Sequence, residues 1–195
     1  LHRRDVTGEG GFIELALQEA AIALFGEYFL LDQLEGTPPR IGNAHAEFSP
    51  HGVYPCSGED QWIAIAVRSE EEWRAFAQTA DSGWLEDPRF GTMSDRLRNR
   101  EPLDAAIAAW SAEHDKTRLM DDLQTAGVPA GAVMVTPDFI ADPQVVERRF
   151  FVEFEDEALG PKAFPGLPLT IDGERGELWR PAPKLGEHNR EVLSD

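Results

Sequence analysis

The chain has 195 residues, room for one ordinary domain or two small ones, and 42% of them are hydrophobic, enough to build a core. Eighteen Lys and Arg against 36 Asp and Glu give a net charge of −18, which argues against a nucleic-acid face and against docking on an anionic membrane. A single cysteine, Cys56, excludes an internal disulfide framework and a cysteine-built zinc site, and no run of about 18 apolar residues offers a membrane span.

Residues Leu1–Gly8 read as the end of a helix, with basic residues in its last turn and Gly8 at the left-handed position beyond it. The body of that helix is expected outside this sequence, so the chain reads as a fragment. Gly8–Gly11 forms a turn, and Phe12–Leu34 reads as a helix apolar on nearly every side. Such a helix is buried all round, either as a central core helix or partly against a second subunit. Glu35–Gly58, with Pro38, Pro39, Gly42, Pro50 and Gly52, reads as a long irregular connection that is both interdomain linker and functional loop.

Gln61–Val67 is a short strand apolar on both faces. Ser69 caps a helix whose first turn carries Glu70, Glu71 and Glu72 and whose buried side is Trp73, Phe76, Ala77 and Ala80. Asp87–Phe90 is a turn. Ser94–Arg100 and Pro102–Ala112 are helical, with Leu103, Ile107 and Trp110 on one face. Lys116–Ala126 is a further helix stopped by Gly127, with Pro129 just beyond, and Ala130–Val135 is a strand. Pro137 and Pro143 each open a helix at its first position. Beyond them Phe151–Glu155 alternates as a strand, Phe164–Ile171 is extended with its prolines at an edge, and Arg180–His188 is extended before a short terminal helix.

Catalytic motifs are scarce. Gly8–Gly11 lacks the spacing of a phosphate loop, and neither a G-x-S-x-G elbow nor an H-E-x-x-H pair is present. His45, His51 and Cys56 lie close together, but their spacing matches no standard metal site and a fourth ligand is missing. Cys56 reads as a buried structural thiol, His2 and His188 as surface or hydrogen-bonded residues, and His114 as solvated. The three glutamates at 70–72 read as a helix first turn rather than a catalytic cluster.

A colinear set of stretches carries a resemblance. It runs through Arg4–Gly11 before the apolar helix, Arg40–His45, and Tyr54–Gly58 leading into Trp62–Ala66. It continues through Asp87–Phe90, Ala126–Gly131 and Asp142–Gln144 and closes on Arg180–His188. In this order, over essentially the whole chain, they resemble the C-terminal half of a class III coenzyme A transferase. That family includes carnitine and bile-acid CoA-transferases, formyl-CoA:oxalate CoA-transferase and α-methylacyl-CoA racemase.

The resemblance implies an α/β fold in which a small α/β domain is inserted by long linkers into a Rossmann-like large domain, only part of it present here. It also implies an interlocked dimer. Residues 1–35 would belong to the large domain, 36–56 to a linker, 57–136 to the small domain, and 137–195 to a return linker and the C-terminal part of the large domain. In such enzymes an Asp attacks an acyl-CoA thioester, which then passes through a mixed anhydride and an aspartyl-CoA thioester. That Asp falls before residue 1, so the chain is expected to hold no catalytic nucleophile. Coenzyme A thioester is implied as substrate, with no covalently bound cofactor and no metal. The implied partners are acyl-CoA, a carboxylic acid and a second copy or N-terminal half, without nucleic acid or membrane, in the cytoplasm.

In the formyl-CoA transferase branch a glycine run closes over the intermediate; here His45, Ala46, Glu47 and Phe48 stand in its place. These side chains make a stiffer loop. It is expected to face the acyl group, with Phe48 as a wall and His45 or Glu47 on a polar acyl or acceptor. In the racemase branch a catalytic Glu follows the strand equivalent to Ile63–Val67; Ser69 stands at about that place with Glu70 beside it. That shift points away from racemisation. A racemase and a noncatalytic module that only binds a partner half remain the alternatives.

Overall fold

The structure is a computed structural model describing residues 1–156, 160–175 and 183–194. Arg180, Pro181 and Ala182 of the extended tail lie outside the described residues. A three-stranded antiparallel sheet in the order β1-β2-β3 joins β1 (His51–Pro55), β2 (Trp62–Ala66) and β3 (Ala130–Ala132). Val53 opposes Ala64, which in turn opposes Gly131. Strand alternation sends Ile63, Ile65 and the following Val67 into the core and leaves Ala64 and Ala66 on the other face.

Four helices complete this core: α4 (Glu70–Ala80), α5 (Met93–Arg98), α6 (Arg100–Ser111) and α7 (Lys116–Thr125). The local signals agree with the packing. Ser69 Oγ accepts the Glu72 N–H at 3.1 Å, and Trp73, Phe76, Ala77 and Ala80 are the buried residues of the helix it caps. Leu103 and Ile107 of α6 meet Leu119 and Leu123 of α7 in the same cluster, which also holds Tyr54, Cys56, Trp84, Phe90 and Val128. Trp84 lies between Trp73 and Trp110, with ring centroids 6.4 and 5.8 Å away. Gly127 stops α7 in the left-handed region at φ 84°, where a residue without Cβ is unstrained. The buried Lys116 then ties the end of the sheet to the next helix, its Nζ donating to Val133 O at 2.9 Å and to Asp138 Oδ2 at 2.5 Å.

Two sequence expectations change here. The stretch Glu35–Gly58 is not irregular throughout, because it contains β1. Alternation there is masked by Gly52 and Pro55, and pairing with β2 makes the strand. Residues Phe12–Leu34 do not form one helix: after α1 (His2–Thr7) come α2 (Leu17–Ala23) and α3 (Gly26–Glu35), broken at Leu24 and Phe25. Nor is either helix a core helix of this chain. Phe12 and Ile13 are 90% exposed and Leu17 82%, and neither helix has a buried residue. Among the described residues, the buried hydrophobic side chains all lie from Tyr54 to Val128.

Past the sheet come α8 (Thr136–Ala141) and α9 (Pro143–Glu147), each with proline in its first turn. A hairpin of β4 (Phe151–Asp156) and β5 (Gly160–Pro165) follows, then the short pair β6 (Thr170–Ile171) and β7 (Glu174–Arg175), and α10 (Asn189–Leu193). Gly166 N–H donates to Phe150 O at 2.7 Å, and this register turns Pro161 and Pro165 away from β4, where a missing N–H breaks no ladder bond. No described helix is long and apolar enough to cross a membrane.

This distribution predicts a sharp contrast in denaturant unfolding. Ile107→Ala should lose about 2–5 kcal/mol by leaving a cavity. Leu30→Ala, on the exposed surface of α3, should stay within about 0.5 kcal/mol for this chain.

Candidate functional site

The loop holding His45–Phe48 is pinned at both ends. Ala44 N–H closes a turn on Ile41 O at 3.1 Å, and the His51 ring Nδ1 reaches Asn43 O at 2.5 Å. The carbonyl oxygen has no hydrogen to give, so His51 Nδ1 carries the proton. Arg100, the first residue of α6, donates from Nη2 to His45 O at 2.5 Å. At the far end the Ser49 N–H meets Met93 Sδ at 3.2 Å, and Ser49 O accepts from Arg96 Nε at 2.9 Å.

Between these anchors the four residues divide. His45 and Phe48 are half-buried and stacked, ring centroids 3.6 Å apart at 18°, and His51 lies 5.5 Å from the first and 5.3 Å from the second. Ala46 and Glu47 are exposed. The Glu47 N–H donates to His45 Nδ1 at 3.1 Å, so the neutral imidazole carries its proton on Nε2. That nitrogen has no partner among the described residues. Within residues 41–48 only Gly42 takes a positive φ, 59°. The structure thus joins His45, Phe48 and His51 in one aromatic cluster and leaves Cys56 out of it. Cys56 is buried, and burial first and then Asp115 push its thiol pKa up against the pull of Lys116. No group of three or more metal-ligating side chains occurs among the described residues.

Arg96 was not singled out by its sequence context. Its side chain is 0% exposed. Besides Ser49 O it donates to Phe90 O at 3.1 Å, and its two terminal nitrogens grip the Glu70 carboxylate at 3.2 and 3.1 Å. The guanidinium also lies 4.7 Å from the Trp73 ring centroid. Glu70 Oε1 takes a further bond from the Met93 N–H at 2.8 Å. Burial acts to raise the Glu70 pKa, but the Arg96 and Met93 donors outweigh it and hold the carboxyl below the usual range. Both oxygens are engaged, so Glu70 is a structural counter-ion rather than a free base. His114, expected in solvent, is half-buried instead, with Nδ1 at 2.8 Å from Trp110 O and its ring 4.9 Å from the Trp110 ring.

Beside the loop a cleft of about 450 Å³ runs between Asn43 and Ala44 on one side and Asp104, Ala105 and Ala108 of α6 on the other, with β1 along it. A second cleft, of about 670 Å³, opens over Ala64, Ala66 and Gly131 on the outer sheet face and shares Asn43, Ala44 and His51. Tyr54 donates to Asp104 Oδ1 at 2.7 Å. Burial raises the Asp104 pKa against the pull of Tyr54 and Arg100, and burial together with Asp104 raises that of Tyr54.

Comparison with known proteins gives this arrangement its family. A model of CoA-transferase family III matches residues 1–189, and the chain belongs to that family. A Mycobacterium tuberculosis protein named as a probable CoA-transferase is 31% identical over 98% of this chain and 24% of its own length. The succinyl-CoA–D-citramalate CoA-transferase of Chloroflexus aurantiacus is 28% identical over 100% of this chain and 49% of its own. A crystal structure of a CaiB/BaiF family protein from Brucella suis superposes with a TM-score of 0.80 at 26% identity, over 99% of this chain and 50% of that one. The chain therefore spans from a quarter to half of the relatives it matches.

The Arg96 cluster carries a testable sign. The folded chain holds the Glu70 proton less tightly than the unfolded chain, so the stabilisation is complete above the ordinary pKa of 4.5 and drains away as pH falls through it. Denaturant unfolding between about pH 6 and pH 3 should show this loss, and Glu70→Gln should flatten it. Arg96→Ala, which strands the carboxylate and the Ser49 and Phe90 carbonyls, should lose about 3 kcal/mol at neutral pH.

Proposed function

We propose that this chain is the C-terminal portion of a family III CoA-transferase that moves CoA between an acyl-CoA and a carboxylic acid. The observation that carries the reading is the family match over residues 1–189, together with a named CoA-transferase relative aligned over 49% of its own length. A carboxylate nucleophile, an Asp upstream of residue 1, attacks the thioester carbonyl to give a mixed anhydride and free CoA thiolate. The thiolate then attacks the aspartyl carbonyl, releasing the donor acid and leaving an aspartyl-CoA thioester for the acceptor carboxylate to resolve. CoA is the substrate throughout, and no covalently bound cofactor or metal takes part.

In this reading residues 57–136 are the small α/β domain, 36–56 the incoming linker, and 137–195 the return to a Rossmann-like large domain to which 1–35 also belong. The exposed apolar run of α2 and α3 supports it, since a patch of that kind seeks a partner. The partner is a second copy or the N-terminal half, in an interlocked cytoplasmic dimer. The pinned loop faces the acyl group, with Phe48 as its wall, the His45 Nε2–H as donor and the exposed Glu47 towards the acceptor. The engaged Glu70 favours transfer over racemisation, because a racemase base needs a free carboxylate.

A CoA-transfer assay on the isolated chain should show no turnover, and addition of the complementary N-terminal half should restore it. Turnover by the isolated chain refutes the missing nucleophile. In the restored enzyme His45→Ala should lower kcat/KM by roughly tenfold, the loss of one hydrogen bond in the transition state. Sedimentation at micromolar concentration should find a dimer or larger species, and a clean monomer counts against the interlocked arrangement.

A further inference from the structure

Arg100 opens α6 with a positive charge in the first turn, where the helix dipole disfavours a cation. Its place there is explained by what it holds. Nη2 donates to His45 O at 2.5 Å, and among the described residues no other hydrogen bond joins residues 45–48 to the rest of the chain. Within the segment, the Glu47 N–H holds His45 Nδ1 at 3.1 Å and the Phe48 ring covers the imidazole face at 3.6 Å. Those two restraints fix the ring relative to the segment, because Glu47 and Phe48 move with it. His51 touches both rings, at 5.5 and 5.3 Å, which limits a tilt without holding the backbone. Arg100 fixes the segment relative to the core, so the direction of the His45 Nε2–H depends on it.

Arg100 is itself braced. Asp104 lies one turn further along α6, on the same helix face, and its Oδ1 accepts the Tyr54 O–H at 2.7 Å. Burial raises the Asp104 pKa, while the Tyr54 hydroxyl and then Arg100 favour the charged form, so carboxylate and guanidinium act on each other. Tyr54 is 3% exposed, and its hydroxyl passes over Gly52, where a Cβ would lie 2.9 Å from Oη. A side chain at 52 would push that hydroxyl aside. A buried tyrosine thus fixes a carboxylate, the carboxylate attracts the guanidinium, and the guanidinium holds the loop. The Asp104 charge also offsets that of Arg100, which suits a holding role better than a direct grip on an anion.

We propose that Arg100 is a positioning residue for CoA transfer: braced by Tyr54 and Asp104, it holds the His45 carbonyl so that the His45 Nε2–H is aimed at the acyl group. The assignment rests on the CoA-transfer reading and on the place of the loop in it. It adds a residue that acts on the substrate only through His45.

The test is a double-mutant cycle in the enzyme restored with its N-terminal half, alongside long-range ¹H–¹⁵N spectra of the His45 ring in the 195-residue chain. Arg100→Met, which keeps a good helix former, should lower kcat by roughly tenfold with KM within about twofold. Arg100→Lys, which keeps one donor, should recover part of the loss. His45→Ala combined with Arg100→Met should lose no more than His45→Ala alone, because both remove the same interaction. The wild-type ring should show the Nε2–H tautomer with its protons shifted upfield by Phe48. Arg100→Met should move both signatures toward solvent values while the amides of the buried Ile63 and Ile65 stay in place. Tyr54→Phe should move the ring signals in the same direction by less.

Additive losses, a His45→Ala variant with unchanged kcat, or a ring spectrum unmoved by Arg100→Met overturn the assignment. A raised KM with kcat and ring signals unchanged places Arg100 in direct contact with the acid substrate and overturns it too. Absence of turnover in the restored wild-type enzyme refutes the transfer reading instead, and the ring spectrum by itself then decides whether Arg100 sets His45.

Discussion

One buried guanidinium joins parts of the chain that share no local signal. Arg96 has no exposed surface, and its donors reach Ser49 O at the end of the loop, Phe90 O after the turn, and the Glu70 carboxylate at the start of α4, with Trp73 beneath it. An arginine in that position is tolerated because its planar fork satisfies several fixed acceptors at once; a lysine would leave some of them dry. Four residues on, Arg100 holds His45 O, so two arginines on consecutive helices set the two ends of the loop. The loop's geometry follows from the core behind it rather than from glycines within it.

The core and the exposed apolar helices obey the same rule with opposite outcomes. The side chains of α4, α6 and α7 find one another and the sheet, so their apolar stripes are covered. Those of α2 and α3 have the same hydrophobic character and no such cover among the described residues. A stripe can be buried only where a second surface is available, and the described residues of this chain offer none to α2 and α3.

The candidate site sits where the covered and uncovered parts meet. On one side the cluster of His45, Phe48 and His51 is fixed by hydrogen bonds and stacking; on the other lies the cleft of about 450 Å³ between β1 and the Asp104 side of α6. The arrangement supplies orientation, shape and a few polar groups.

Much of this was legible in the residues themselves. The Ser69 cap, the buried side of α4, the Gly127 stop, the prolines opening α8 and α9, and the alternation at Phe151–Glu155 are local events. Each is decided by spacing and by the conformational needs of single residues. The apolar run at 12–34 announced that it wanted burial, but not against what. Strand β1 was hidden because Gly52 and Pro55 are poor strand formers and only pairing with β2 fixes it. Arg96 was hidden for a different reason: with Arg89, Arg98 and Arg100 nearby, a basic residue in a polar helix looks like any other. Only the tertiary structure could choose which guanidinium goes inside, because its acceptors come from positions 49, 70 and 90, which meet only when the core closes.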